Sequence, residues 1–390
     1  MNKLCTLSIA FGVSCCLFAQ EKTDSVSIKQ PETEKSPVSF GGQLSCWSVF
    51  QFPNPVKMQL GTRFVPTFIG NYGKFDTAVS ANLQSEFHLS GTKHDSTVCT
   101  LKPYRAWLRY SGNNWELRGG LQNIKFGPGK MFRPLMWFDR IDVRDPLQLT
   151  DGVYALLGRY FFQNNANIWF WSLIGNDKPK GFEFLGSVRW IPETGGRLQF
   201  PLGRGEIALT THYRKTDVKT ALPSTAGKTR FNETRIGIDG KWDAVVGLWF
   251  ESSTIITQKN NYNLPHHQDF LNIGADYTLP FGNGLGISAE YFRYHMGNSF
   301  FINGKSIVIV GAIFNYPVSI LDDVSAMFFY IDEQCLWFNY LSYKRAYDNL
   351  DIYLIGFWNP EIDLIAASMQ VTQHNLLAGK GVQLMVNYTF

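Results

Sequence analysis

Long apolar runs, cysteines and any excess of charge of one sign are all scarce in this sequence, and each shortage removes a class of protein. Beyond Ala19 no stretch approaches the 18 or more continuous apolar residues of a membrane-crossing helix; the densest, Ile-Trp-Phe-Trp-Ser-Leu-Ile at 168–174, is far too short. Of the six cysteines, Cys5, Cys15 and Cys16 fall near the start, and Cys46, Cys99 and Cys335 stand far apart. That spacing gives no disulfide framework and no paired-cysteine metal knuckle. A formal net charge of +4 is too close to neutral to make nucleic acid the partner. A Gly-x-Ser-x-Gly elbow, a His-Glu-x-x-His helix, a phosphate-binding P-loop and a dinucleotide fingerprint are also missing, so no enzyme activity and no cofactor are expected.

What the chain does have is ring surface without greasy stretches: aromatics make up 15% of it while the mean hydropathy is only -0.12. An outer-membrane barrel hides its apolarity in this way, with one side chain in two facing lipid and aromatic residues gathered at the interfaces. The N-terminus agrees with export. Lys3 is followed by an almost wholly apolar run to Phe18 and by the small residue Ala19, the pattern of a cleaved signal peptide over 1–19. Residues 20–38 are polar and nearly free of aromatics, which reads as a flexible periplasmic leader.

From 39 to 390 the sequence alternates in segments of about ten residues, separated by Gly, Asn, Asp and Pro. In Tyr104-Arg-Ala-Trp-Leu-Arg-Tyr110 one face carries Tyr104, Ala106, Leu108 and Tyr110, and the other Arg105, Trp107 and Arg109. After the turn Ser111-Gly-Asn-Asn114, the next segment puts Glu116, Arg118 and Gln122 on the polar side. The rhythm predicts an all-β fold, a transmembrane antiparallel β-barrel of about 16–18 strands. Eighteen segments can be marked, from 39–52 to 381–390, with 99–111 and 114–126 among them. The last, ending in Val386-Asn-Tyr-Thr-Phe390, resembles the terminal strand that the barrel assembly machinery recognises. The expected surroundings are outer-membrane lipid and lipopolysaccharide.

With both ends in the periplasm, residues 128–152 form the third external loop. It interleaves Met131, Phe132, Leu135, Met136, Trp137 and Phe138 with Arg133, Asp139, Arg140, Asp142, Arg144 and Asp145. A loop free in water has little use for so many rings, so it is expected to fold into the lumen as a constriction, its rings on the wall and its charges facing the pore. A lid that stabilises the barrel without selecting anything is the plainer alternative. The polar strand faces place Arg105, Arg109, Arg118, Arg159, Arg214 and Arg235, with Glu116, Glu206 and Glu233, along one luminal sector. Such a ladder offers donors to carboxylates, sulfates or phosphates. The competing account is that arginine and glutamate pair to hold the wall. His266, His267 and Asp269 sit among turn residues and are read as a solvated loop rather than a metal site.

The stretch Gly120-Leu-Gln-Asn-Ile-Lys-Phe-Gly-Pro-Gly129, leading into Arg133-Pro-Leu and Asp145-Pro, resembles porin-like outer-membrane barrels and is similar to segments of alginate-export-like and phosphate-selective porin-like families. Its Gly127-Pro-Gly129 turn is also similar to that of capsule-assembly barrels of the Wzi type, although Lys125 and Phe126 stand where paired tryptophans are associated with that turn. The run through Phe138-Asp-Arg140 and Leu149-Thr-Asp-Gly152 resembles uncharacterised outer-membrane proteins of the Bacteroidetes type. The resemblance implies a passive channel for small solutes, with a lean toward anions. The alternatives are a non-transporting barrel that binds or anchors polysaccharide, or a structural partner of an export complex.

Overall fold

The computed structural model describes residues 37–53, 56–91, 93–220, 229–259, 262, 264–361 and 377–390. The proposed signal peptide and nearly all of the leader lie outside them. Eighteen strands follow in chain order: β1 (Val38–Gln51), β2 (Lys57–Tyr72), β3 (Phe75–Ser90), β4 (Lys93–Ser111), β5 (Trp115–Gln122), β6 (Val153–Phe161), β7 (Asn167–Leu173), β8 (Glu193–Leu202), β9 (Gly205–Asp217), β10 (Arg230–Asp243), β11 (Gly247–Thr257), β12 (His267–Leu279), β13 (Leu285–Ser299), β14 (Ile302–Pro317), β15 (Asp322–Ile331), β16 (Leu336–Ala346), β17 (Leu350–Trp358) and β18 (Lys380–Thr389). Each pairs antiparallel with its sequence neighbours, and β1 closes on β18 from Gln43 opposite Thr389 to Gln51 opposite Gly381. The higher of the two expected strand numbers is therefore the correct one, in a closed all-β barrel that leaves no free edge at the β1 and β18 junction.

Alternation decides which side of the wall each residue takes. Leu44, Leu60, Leu83, Leu108, Leu117 and Leu156 project outward and stay exposed, as a lipid-facing band requires. Near the end that carries the chain termini, Tyr72, Phe75, Trp115, Tyr160 and Tyr388 are exposed rings of the kind that gather at a membrane interface. Tyr104 departs from the expected pattern. Ser80 pairs with Arg105 and Ala81 with Pro103, which leaves Tyr104 as the extra residue of a β-bulge, within hydrogen-bonding reach of the Thr150 backbone instead of out among the lipid-facing residues.

The inner wall is not polar all round. From β12 through β18 to β1 it carries Phe270, Phe292, Ile309, Phe329, Phe357 and Trp47, all buried. Residues 123–152, between β5 and β6, fold inward and lay Met131, Phe132, Met136 and Val143 on this apolar sector. The Phe132 ring stacks on Phe292 at 5.1 Å and meets Phe329 edge-on at 5.7 Å. Leu135, Trp137 and Phe138 face the other way, joining Phe126, Leu157 and Trp171 in a second cluster. The inward course of the loop is as expected, and its rings do pack on the wall.

A second segment, 174–192 between β7 and β8, also enters the barrel, which the sequence reading did not foresee. Phe182 reaches the same apolar cluster, 4.6 Å from the Phe270 ring, while Glu183 is buried against Arg214 and Arg235 and Leu185 packs with Val218 and Phe231. Two inserted segments thus share one lumen. Replacing Phe132, which is fully buried, by alanine should remove about 3–5 kcal/mol of packing from the docked loop. The expected outcome is new proteolytic cleavage within 123–152 while the barrel keeps its heat-modifiable migration on gels. Unaltered resistance to protease would mean that this ring does not anchor the loop.

Candidate functional site

The inward loop is held at its turn by two carboxylates from the wall. Glu290 on β13 accepts hydrogen bonds from the backbone amides of Lys130 (2.6 Å), Met131 (3.0 Å) and Phe132 (2.8 Å), and from the Trp249 indole (3.0 Å). Glu251 on β11 accepts from the amides of Gly129 and, at 3.2 Å, Leu135. Asn272 donates to the Phe132 carbonyl at 2.6 Å. The Gly127-Pro-Gly129 turn is required by this closeness: a side chain at Gly127 (φ 90°) would fall 2.5 Å from a Glu251 oxygen, and one at Gly129 would fall 2.6 Å from the Phe132 carbonyl.

Two of the loop's charges, Asp139 and Arg144, are buried instead of facing an open pore, which corrects the expectation for them, while Arg133, Arg140, Asp142 and Asp145 are half-buried. Arg144 forms a fork on Asp142 (2.8 and 2.7 Å) and touches the Tyr340 hydroxyl. Asp145 accepts the amide of Leu147, and Arg140 donates to the Pro179 carbonyl, tying the two inserted segments together. Asp139 is buried 3.8 Å from Arg133, whose guanidinium also reaches the Phe126 carbonyl. Burial raises the Asp139 carboxyl above the usual range against the pull of Arg133, and raises Asp145 too; at Asp142 the Arg144 guanidinium outweighs burial and lowers it. Arg144 and Asp142 answer each other, Asp145 and Arg140 are met by backbone, and Asp139 has only the Arg133 guanidinium within ion-pair distance, since an unpaired charge away from water is expensive.

The wall arginines split into two groups and do not form a single ladder. Arg214 and Arg235 are fully buried around Glu183 of the second segment and Glu233 of β10: Arg214 bonds Glu233 (2.6 Å) and Glu183 (2.9 Å), and Arg235 bonds Glu183 (2.5 Å) and Glu233 (2.8 Å). Both also bind inserted backbone, Arg214 at the Leu185 carbonyl and Arg235 at the Trp137 carbonyl. They are anchors. Beside them Lys180, Glu193, His212 and Trp171 form a further buried chain, with the Trp171 indole donating to Nδ1 of His212 (3.1 Å) so that the imidazole presents its proton on Nε2 to Glu193. Only Arg214, Arg235 and Glu233 of this cluster were singled out from sequence; Glu183, on an irregular segment, carries no periodic signal.

Arg105, Arg109, Arg118 and Arg159 make up the second group and remain partly exposed inside the barrel. Arg109 pairs with Asp76 (2.9 Å) and Glu116 (3.6 Å), and Arg159 pairs with Glu116 (3.1 Å). Arg118 bonds Gln122 (2.6 Å), and Arg105 bonds the carbonyls of Tyr104 and Thr150. Aromatic faces accompany them: Trp107 lies under Arg118 and Arg109, and Trp169 lies 3.9 Å under Arg159. Glu206 is exposed near the turn end of β9, bonded to Gln199. Asp269 is taken up by Thr254, His295 and the Phe301 amide, with His267 3.8 Å away.

No protein-family signature matches this chain, and no curated protein sequence does. Solved structures do. OccAB4 of Acinetobacter baumannii is 10% identical, with 92% of this chain and 99% of that one covered at a TM-score of 0.55. The chain has the fold of outer-membrane porins. OmpT of Vibrio cholerae is 11% identical over 90% of this chain and 99% of its own (TM-score 0.51). Wzi of Escherichia coli, described as a carbohydrate-binding barrel involved in group 1 capsule assembly, is 10% identical over 91% of this chain and 85% of its own (TM-score 0.55). At such identities the likeness is one of fold.

Glu290→Ala leaves three loop amides and an indole without their acceptor, at roughly 1–3 kcal/mol for each buried donor. Hydrogen exchange at residues 130–132 should rise by orders of magnitude while that of β13 stays slow. Protection that persists in the variant would show that packing alone holds the turn.

Proposed function

We propose that this protein is a constricted outer-membrane channel for small anionic solutes, with passage between the docked loop and the wall of β3–β7. The observation that carries this reading is the asymmetry of the lumen: one sector is closed by apolar packing, while the other keeps Arg105, Arg109, Arg118 and Arg159 partly exposed beside Trp107 and Trp169. Forked guanidinium donors stacked on rings suit planar or tetrahedral anions, and weak contacts at several such positions would let a solute enter and leave. Glu116 and Asp76 temper the positive charge, so the expected preference is modest. No catalytic step is assigned to these residues.

A second reading, a barrel that binds saccharide without conducting it, is favoured by the two inserted segments, which both enter the barrel and pack on its inner wall. In that case the same rings and forks would hold sugar faces and acidic substituents.

Single-channel recording in a planar bilayer with a salt gradient separates the two. Discrete steps with anion preference support the channel; silence from folded barrels moves the assignment to binding. Arg109→Glu with Arg118→Glu should turn the preference toward cations, and deletion of 131–145 should raise conductance severalfold. Selectivity that stays the same in an open pore would remove the arginines from the path.

A further inference from the structure

The four strands β5–β8 contain 8, 9, 7 and 10 residues, against 16, 16 and 19 in β2, β3 and β4. A tilted membrane strand needs about 9–11 residues to cross the hydrocarbon layer. The wall is therefore low at this sector, on the side away from the chain termini, and the two inserted segments leave it there. On the far flank the gap is closed by backbone pairing: Ser187 bridges Thr216, the Val188 amide bonds the Lys215 carbonyl, and the Asp217 amide bonds the Gly186 carbonyl. On the near flank it is not. β4 pairs with β5 only from Ala106 to Ser111, so its outward half, residues 93–105, has β3 as its one strand partner among the described residues.

Only side chains span that flank. Lys102 reaches Asp151 at 2.5 Å, and Arg105 reaches the Thr150 carbonyl at 3.1 Å. Just inside lie four cations, Lys102, Arg105, Lys125 and Arg133, and two carboxylates, Asp139 and Asp151. Asp151 answers Lys102 and Asp139 answers Arg133. Arg105 is hydrogen-bonded to carbonyls only, and Lys125 has no hydrogen bond or ion pair among the described residues; both are within electrostatic reach of Asp139, so two carboxylates are shared among four cations. Just outside, Leu101 is 72% exposed, with Tyr154 and Leu156 also bare. A breach in a membrane wall that is cationic within and apolar without fits a molecule of matching polarity.

We propose that this flank of β4 is a lateral seam that seats an anionic amphiphile of the surrounding leaflet, its phosphate head at Arg105 and Lys125 and its hydrocarbon tail along Leu101 and Tyr154. The seam goes beyond the channel reading and does not depend on whether the lumen conducts.

Cys99, exposed on the outer face of β4, supplies a reporter position. Cys46→Ser with Cys335→Ser leaves it as the sole cysteine of the described residues for a fluorophore, in the full-length barrel in phosphatidylcholine nanodiscs holding a minor fraction of phosphatidylglycerol. A companion protein labelled only at Cys46 on β1 serves as reference. Brominated phosphatidylglycerol should quench the Cys99 label severalfold more than brominated phosphatidylcholine at the same fraction, and the Cys46 label equally. Lys125→Gln, at an exposed side chain, should cut the excess by at least half, and Arg105→Gln should do the same where heat-modifiable migration shows a folded barrel. Equal quenching at Cys99, or an excess that survives both substitutions, overturns the proposal. Loss of the excess on adding free glycerol phosphate at the lipid's own concentration overturns it too, in favour of a soluble anion.

Discussion

Two carboxylates facing five backbone amides hold the centre of this protein. Glu251 and Glu290 project from β11 and β13 into a part of the lumen where neighbouring side chains are largely apolar, and a bare carboxylate there would be strongly disfavoured. What satisfies them is main chain: the amides of residues 129–132 and 135 converge on them as the loop turns. The dependence is mutual, since those amides have left the wall and have no strand to bond. It also explains the local sequence. Only glycine at 127 and 129 lets the turn come close enough, and Pro128 between them gives up no donor that the site uses.

Once the loop is docked, the unusual inner wall becomes comprehensible. An apolar luminal face would meet water in an open barrel; here Phe132, Met136 and Phe182 cover it, so the barrel acquires a hydrophobic core of the kind soluble domains have. Polar residues of the inserted segments then meet the opposite wall, where Arg214 and Arg235 clamp Glu183 and take the carbonyls of Leu185 and Trp137. Arginines that look alike in sequence thereby part company. Those met by an inserted carboxylate are buried clamps, and those of β4–β6 stay partly exposed inside the barrel.

How far the sequence could be read follows from which interactions are periodic. Strand number, closure and the inward course of 128–152 came from alternation and from a loop too apolar for water, both local properties. The division of the arginines could not be seen, because it depends on Glu183, whose position is set by an irregular segment more than thirty residues from its Arg214 and Arg235 partners along the chain. The apolar inner sector was equally hidden: in β12–β18 both faces are hydrophobic, and alternation then loses its contrast. The alternation puts Tyr104 on the wrong face because a single bulged residue reverses the face count from that point; Pro103 just before it, a residue confined within sheets to edges and bulges, is the one local mark of the irregularity.

The docked loop and the open flank of β4 share one origin. The chain that docks on Glu251 and Glu290 leaves the wall after Gln122, eight residues into β5, and returns at Val153. Residues spent inside the barrel cannot extend β5 upward, so the outward half of β4 loses its partner by the same event that closes the apolar sector. In a hydrocarbon layer an unpaired strand edge is not left bare; it is paired, covered or turned to a polar surface. Lys102, Tyr104 and Arg105 tether the returning segment at Thr150 and Asp151, which is enough to fix its path and too little to make it a strand. The docked loop and the seam are thus two faces of one choice in the chain's course.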